Sequence, residues 1–196
     1  VSAPLEGRNA LVLGVERPAG RNAAVALAEA GADVAVATLT EDTKAEFAAN
    51  STANEFWAID RKGIVLTTDG GETTVREAIA DATAELGPIS IVVWHAPAPL
   101  PRETLAGTRS DAAIVVLVGA DDAAEDAEAL LEWTAELAST GLRANSVVAP
   151  GAAVDAASAP LTEHKPAVAM NVAAAVVYLT SDASAALDGV VVFAAG

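Results

Sequence analysis

Apolar residues in this chain fall into short unbroken runs, separated by longer stretches in which they recur every three or four positions. Leu11-Val12-Leu13 is the first run and Gly14 closes it; Pro18 to Ala30 then carries a helical pattern that Gly31 ends. Val34 to Ala37 is a second run, Glu41 to Asp60 a helix-like stretch holding Phe47, Phe56 and Trp57, and Ile64 to Leu66 a third run. A helix over Thr73 to Leu86, strands over Ile89 to Val93 and Ile114 to Val118, and a helix over Asp122 to Ser139 follow. A strand over Ala144 to Val148, a helix over Asn171 to Leu179 and a strand over Val190 to Phe193 complete the order. Runs apolar on both faces, not alternating, predict strands buried on both sides, and their succession with helices predicts a parallel sheet. The expected fold class is α/β, a doubly wound parallel sheet of about seven strands with helices on both faces.

Composition narrows this picture. The 196 residues are 53% hydrophobic but only 4% aromatic, so residues 1–196 read as one domain whose core is filled by small aliphatics. Acidic residues outnumber basic ones 27 to 11, a formal charge of −16, which repels a phosphate backbone or an anionic membrane. With no cysteine and two histidines, disulfides, thiolate chemistry and a conventional zinc site are excluded. Val1-Ser2-Ala3-Pro4 has no basic-then-apolar leader, and no apolar run approaches the roughly 20 residues of a membrane span. A soluble, cytoplasmic protein is expected.

Several segments in order resemble the short-chain dehydrogenase/reductase family. Leu5-Glu6-Gly7-Arg8-Asn9-Ala10-Leu11-Val12 is similar to its opening strand, and Ala28-Glu29-Ala30-Gly31-Ala32-Asp33-Val34 to its first helix-to-strand turn. Gly141-Leu142-Arg143-Ala144-Asn145 with Ala149-Pro150-Gly151 resembles the sixth-strand signature. Tyr178-Leu179-Thr180-Ser181-Asp182 with Asp188-Gly189 resembles the family's ending. The resemblance runs over almost the whole chain and implies a three-layer Rossmann-type sheet.

The family's Thr-Gly-x-x-x-Gly-x-Gly loop, where a dinucleotide pyrophosphate meets a helix N-terminus, aligns with Leu13-Gly14-Val15-Glu16-Arg17-Pro18-Ala19-Gly20. The outer glycines, Gly14 and Gly20, are present, and the middle one is Pro18, which has no N–H to give but suits a first helical position. Glu16 adds negative charge to the mouth, while Arg17 or Arg21 offers a guanidinium for phosphate. The end of the second strand, Thr38-Leu39, has no acid for an adenosine ribose. Asp69 falls near the family's adenine contact. The family's Asn-Asn-Ala-Gly is replaced by Trp94-His95-Ala96-Pro97, which sets an indole where small or amide groups normally approach the cofactor. The resemblance makes NAD(P) the cofactor to test, with Gly14, Arg17, Gly20 and Asp69 as its contacts, although no residue demands a cofactor.

The reaction centre implied by the resemblance is a tyrosine with a lysine four residues on, a serine on the preceding strand and an asparagine on the preceding helix. Counting back from Asn145 puts the tyrosine at Gly119 and the lysine at Ala123, and counting forward along Ile114 to Val118 puts the serine at Gly119 as well. The loop between these positions is therefore expected to be missing. Tyr178, the one tyrosine, belongs to the closing helix, where an aromatic is expected in the core. Ala98 to Ala113 contains Pro99, Pro101 and Gly107, so it predicts a crossover without a full helix.

His95, at a strand's carboxyl end, is the candidate acid or base, set against a solvated or hydrogen-bonded structural histidine. Asp121, Asp122, Glu125, Asp126 and Glu128 read as a solvated helix start favoured by the macrodipole, not as a magnesium site. His164 and Lys165 read as surface loop. The resemblance without its Ser-Tyr-Lys implies a non-catalytic subunit that stabilises or shapes an active, full-length family member in a hetero-oligomer. The last helix, Val172 to Leu179, and strand, Val190 to Phe193, would serve as interface there or in a homo-oligomer. The alternatives are an NAD(P)-dependent oxidoreductase using groups such as His95, and a nucleotide or acyl-CoA binding module.

Overall fold

In a computed structural model, in which residues 2–196 are described, the chain forms an eight-stranded sheet with the order β3-β2-β1-β4-β5-β6-β8-β7. In chain order the elements are β1 (Asn9–Leu13), α1 (Pro18–Glu29), β2 (Asp33–Thr38), α2 (Thr43–Ala58), β3 (Gly63–Thr67), α3 (Glu72–Leu86) and β4 (Ile91–Trp94). After these come β5 (Ala113–Val118), α4 (Ala124–Ser139), β6 (Arg143–Val148), β7 (Thr162–Glu163), α5 (Val172–Thr180) and β8 (Val190–Phe193). Every neighbouring pair is parallel. The α/β class holds. The strand beyond the seven expected is β7, whose two exposed polar residues carry no apolar run.

Alternation along each strand divides the core in two. Val12, Val34, Val36, Ile91, Val93, Val115 and Leu117 pack with Ala23, Leu27, Phe56, Ala175 and Val176 from α1, α2 and α5. Leu11, Leu13, Ala35, Val92, Trp94, Ile114 and Val116 pack with Val75, Ile79, Leu130, Trp133 and Leu137 from α3 and α4. The sheet is buried on both faces, which is why its central strands β4 and β5 are apolar throughout. In α2, Phe56 faces the sheet, whereas Phe47 and Trp57 are exposed.

The crossover from β4 to β5 has no α-helix. Pro97, Pro99 and Pro101 leave room for one 3-10 segment, Arg102–Gly107, which buries Thr104 and Leu105 beside α3. Gly119 to Ala123 forms a tight turn directly into α4, so the helix starts at Ala124, later than Asp122. No helix among the described residues is long and apolar enough to cross a membrane.

The strand order reverses between β1 and β4. Parallel α/β sheets open a crevice at the carboxyl ends of the two strands at such a point. Here Leu13 lies opposite Trp94, so Gly14 and His95 meet at its floor.

Candidate functional site

At that floor the chain segments are in contact without intervening side chains. Gly14 has a φ of +82°, and a Cβ placed on it would stand 2.2 Å from the carbonyl oxygen of His95. A Cβ on Gly20 would stand 2.3 Å from the carbonyl oxygen of Gly14. Both glycines are thus required by the chain's own packing, whatever the crevice holds. Pro18 opens α1 at its first turn, and Arg17 N–H donates to Gly14 O at 3.1 Å.

Arg17 does not face the solvent. Its Nη1 donates to His95 O at 3.2 Å, its Nε to Asp121 Oδ2 at 3.3 Å, and its Nη2 pairs with Asp121 Oδ1 at 3.0 Å and with Asp122 Oδ1. Asp122 also accepts from Gly119 N–H at 2.7 Å, so it closes the turn after β5 and anchors the guanidinium at once. Its side chain is 1% exposed, which corrects the expectation of a solvated helix start; Glu125 and Glu128 do lie in solvent. Burial acts to lower the Arg17 pKa, but the hydrogen bonds it donates to Asp122 and Asp121 outweigh it and raise the value above the ordinary one. For Asp121, partial burial is likewise outweighed by the Arg17 hydrogen bond, and its pKa falls below the ordinary carboxylate value. The Gly119-Ala120-Asp121-Asp122 turn was the signal for this cluster, since an aspartate three residues past a strand-ending glycine is placed to accept that glycine's N–H.

His95 is 1% exposed, and neither ring nitrogen has a hydrogen-bond partner. The expectation of a solvated or hydrogen-bonded structural histidine is corrected on both counts. Gly14 O stands on the Nδ1 side without reaching hydrogen-bond geometry, and a Cβ on Gly119 would lie 3.1 Å from Nε2. Burial first, and the Arg17 charge second, hold the imidazole pKa at about 4, although Asp122, Asp121 and Gly14 O pull it upward. The ring is neutral near pH 7. The indole of Trp94 is not in the crevice: it turns to the opposite face, stacks edge-on to Trp133 at 5.4 Å, and donates Nε1 to Ala98 O at 3.2 Å. Alternation along β4 sends neighbouring residues to opposite sides, so the crevice receives the imidazole and the core receives the indole.

At the far corner Glu16 reaches to the end of β2, where Oε1 accepts from Leu39 N–H at 3.0 Å and Oε2 is buried without a partner. Asp69 caps the turn into α3, accepting from Gly71 N–H at 2.8 Å and from Thr74 Oγ1. Those bonds, that of Thr74 foremost, lower its pKa. Arg21 pairs with Glu55 on α2. Tyr178, expected in the core, is half-buried: its ring stacks on His164 at 5.8 Å and its hydroxyl lies 3.3 Å from His164 Nε2. His164 is therefore held in place, its N–H donating to Val191 O at 2.8 Å through β7. Among the described residues no three His, Asp or Glu side chains are grouped to hold a metal ion.

No family model and no curated protein matches the sequence. Solved structures do. A hydroxysteroid dehydrogenase from Escherichia coli superposes with a TM-score of 0.75 at 18% identity, over 98% of this chain and 97% of that one. A short-chain dehydrogenase from Burkholderia cenocepacia in complex with NADP gives 0.72 at 23% identity, over 98% of both chains. A short-chain dehydrogenase from Mycobacterium paratuberculosis bound to NAD gives 0.73 at 20% identity, over 97% of both. The chain has the short-chain dehydrogenase fold.

Within that fold the dinucleotide would lie over the loop from Gly14 to Gly20, and the groups present do not fit its diphosphate. Arg17 and Arg21 are both committed to carboxylates, Pro18 lacks an N–H, and Glu16, Asp121 and Asp122 bring negative charge to the mouth. Gly14 and Gly20 clear space for His95 and for the loop itself. Asp69 is engaged by its own turn. Gly119, where the resemblance counts the family's tyrosine, lies under Asp121 Oδ1, which a Cβ there would meet at 2.6 Å.

Proposed function

We propose that this protein is a non-catalytic subunit of short-chain dehydrogenase fold that stabilises or shapes an active partner of the same fold in a hetero-oligomer. The observation that carries the reading is the Arg17–Asp121–Asp122 cluster over Gly119. It lies over the glycine to which the resemblance counts the family's tyrosine, and it spends the loop's guanidinium inside the protein. Acid/base catalysis requires a proton-transferring group within reach of the reacting atom before its pKa matters. Tyr178 is on α5 against His164, away from that position.

The assembly half of the reading rests on α5. Val172–Thr180 has no charged residue, yet Val172, Ala173, Val177 and Tyr178 are only half-buried and Ala174 is exposed. Such a helix gains by being covered. Titration with NADH and NADPH followed by nicotinamide fluorescence tests the first half, and neither is expected to bind. Saturable binding of either would instead favour an oxidoreductase working through His95. Co-expression with full-length short-chain dehydrogenases from the same genome, followed by size exclusion, tests the second half: co-elution with one of them is expected, and separate species throughout refute it.

A further inference from the structure

Burying a hydrogen-bonding group without a partner costs free energy, so a neutral imidazole held dry at the mouth of a crevice calls for an explanation. His95 sits at the base of a cleft of about 460 Å³ whose other walls are Pro18, Ala19, Asn22, Ala120, Ala149 and Val172. The walls are mainly apolar, with Asn22 the one amide and Asp121 at the rim. Gly14 O lies on the Nδ1 side, and Nε2 is directed over Gly119, where Asp121 Oδ1 and Arg17 Nη2 also converge; with the proton on Nδ1, Nε2 is an acceptor. Among the described residues the one cation at this place, Arg17, is already matched by two carboxylates. An anion entering the cleft would therefore meet no free positive charge and a net negative rim.

We propose that this cleft binds an uncharged, largely apolar molecule, an alcohol or amide, that donates one O–H or N–H to Nε2 of His95. Asp121, with its side chain 65% exposed, lies over the same glycine, and to admit the donor it swings outward and gives up its pairing with Arg17, which keeps the buried Asp122. The ligand's apolar body then covers the alanines and valine of the walls. This site stands apart from the assembly reading: it requires neither a partner chain nor a dinucleotide, and a bound neutral molecule could persist in either.

With two histidines in the chain, the imidazole nitrogens can be followed individually by 15N NMR on the full-length protein, with His164→Gln assigning the second ring. Cyclohexanol and benzyl alcohol serve as donor probes, cyclohexanone as an acceptor-only analogue and cyclohexanecarboxylate as an anion. The alcohols are expected to shift His95 Nε2 saturably in the millimolar range typical of fragments of this size. The ketone should bind at least about tenfold more weakly, and the carboxylate not at all, because each lacks the donor or adds a charge. Ala120→Trp, at an exposed wall position, should abolish the alcohol effect by filling the cleft. An absent Nε2 shift with both alcohols overturns the proposal, as does a carboxylate that binds as tightly as they do. An undiminished shift in a folded Ala120→Trp protein overturns it too, and the wild-type titration decides alone if that variant does not fold.

Discussion

Acidification should destabilise this protein through one side chain. His95 is neutral in the fold with a pKa near 4, whereas an unfolded histidine titrates near 6.5. The unfolded chain therefore binds the proton first. His95's contribution to stability is complete above about pH 6.5, is lost as pH falls, and the loss is complete below about 4. At about 1.36 kcal/mol per tenfold difference in proton affinity, the full loss is about 3.4 kcal/mol, and between pH 7.5 and pH 5 it is about 2 kcal/mol. Urea titrations followed by the fluorescence of Trp94 and Trp133, both buried, measure it. With a slope of about 2 kcal/mol per molar urea, the wild-type midpoint should fall about 1 M further over this pH interval than that of His95→Asn. The asparagine cannot titrate, and it is the residue the family pattern carries at this position. All other titrations are common to both proteins and cancel in the comparison. Arg17, Asp121 and Asp122 are the charged groups that face the ring, and they are unchanged in the variant. Parallel falls of the two midpoints would refute the reasoning, because the imidazole would then be titrating as it does in water.

The Arg17 cluster gives a second test: Arg17→Met leaves the buried Asp122 carboxylate with only the Gly119 N–H, and should cost about 3 kcal/mol in urea unfolding. Asp122→Asn, which keeps an acceptor for that N–H, should cost less, about 2 kcal/mol. Gly20→Ala places a methyl group against the Gly14 carbonyl and should destabilise by about 3 kcal/mol or prevent folding, whereas the same change at Gly141, with open space around it, should cost about 1 kcal/mol from its positive φ alone. Raising salt from low to about 0.5 M should lift the melting temperature by a few degrees, because the net charge of −16 is screened. A falling melting temperature would mean that the ion pairs outweigh that repulsion.

The layered sheet was legible because burial on both faces writes a periodicity-free apolar run, and such runs occur in the order that winds a parallel sheet. The two-residue β7 left no such trace, since an exposed strand of Thr162 and Glu163 is chemically indistinguishable from loop. The crossover after β4 was legible for the opposite reason: its prolines leave no room for a full α-helix. Side-chain direction was the harder matter. Trp94 and His95 are adjacent in sequence, and a reading that places the pair at the crevice cannot say which one enters it without knowing where β4 ends. A shift of one residue exchanges an indole for an imidazole.

Charge pairing was hidden further still, because it joins residues about a hundred positions apart. In sequence Arg17 reads as a guanidinium free to meet phosphate, and Asp121-Asp122 as acids free to meet solvent. Bringing the β1 and β5 ends to the same edge converts both readings into one. Arg17 reaches across the crevice and becomes an internal counter-ion, fixed at three nitrogens by His95 O, Asp121 and Asp122. That arrangement ties the loop before α1 to the turn before α4 across the sheet's point of reversal, a bridge that a bound diphosphate could otherwise make from outside. A dinucleotide would have to break the buried Arg17–Asp122 pair to recruit this guanidinium, and would leave Asp122 uncompensated at about 3 kcal/mol or more. That penalty alone weakens binding by a factor of roughly a hundred, before the repulsion from Glu16 and the missing Pro18 N–H are added. Removing both carboxylates, Asp121→Ala together with Asp122→Ala, therefore separates the two accounts: if the cluster is what excludes the diphosphate, the variant should gain measurable NADPH affinity as its stability falls. A variant that folds with Arg17 released and still ignores the dinucleotide would place the exclusion in the loop itself.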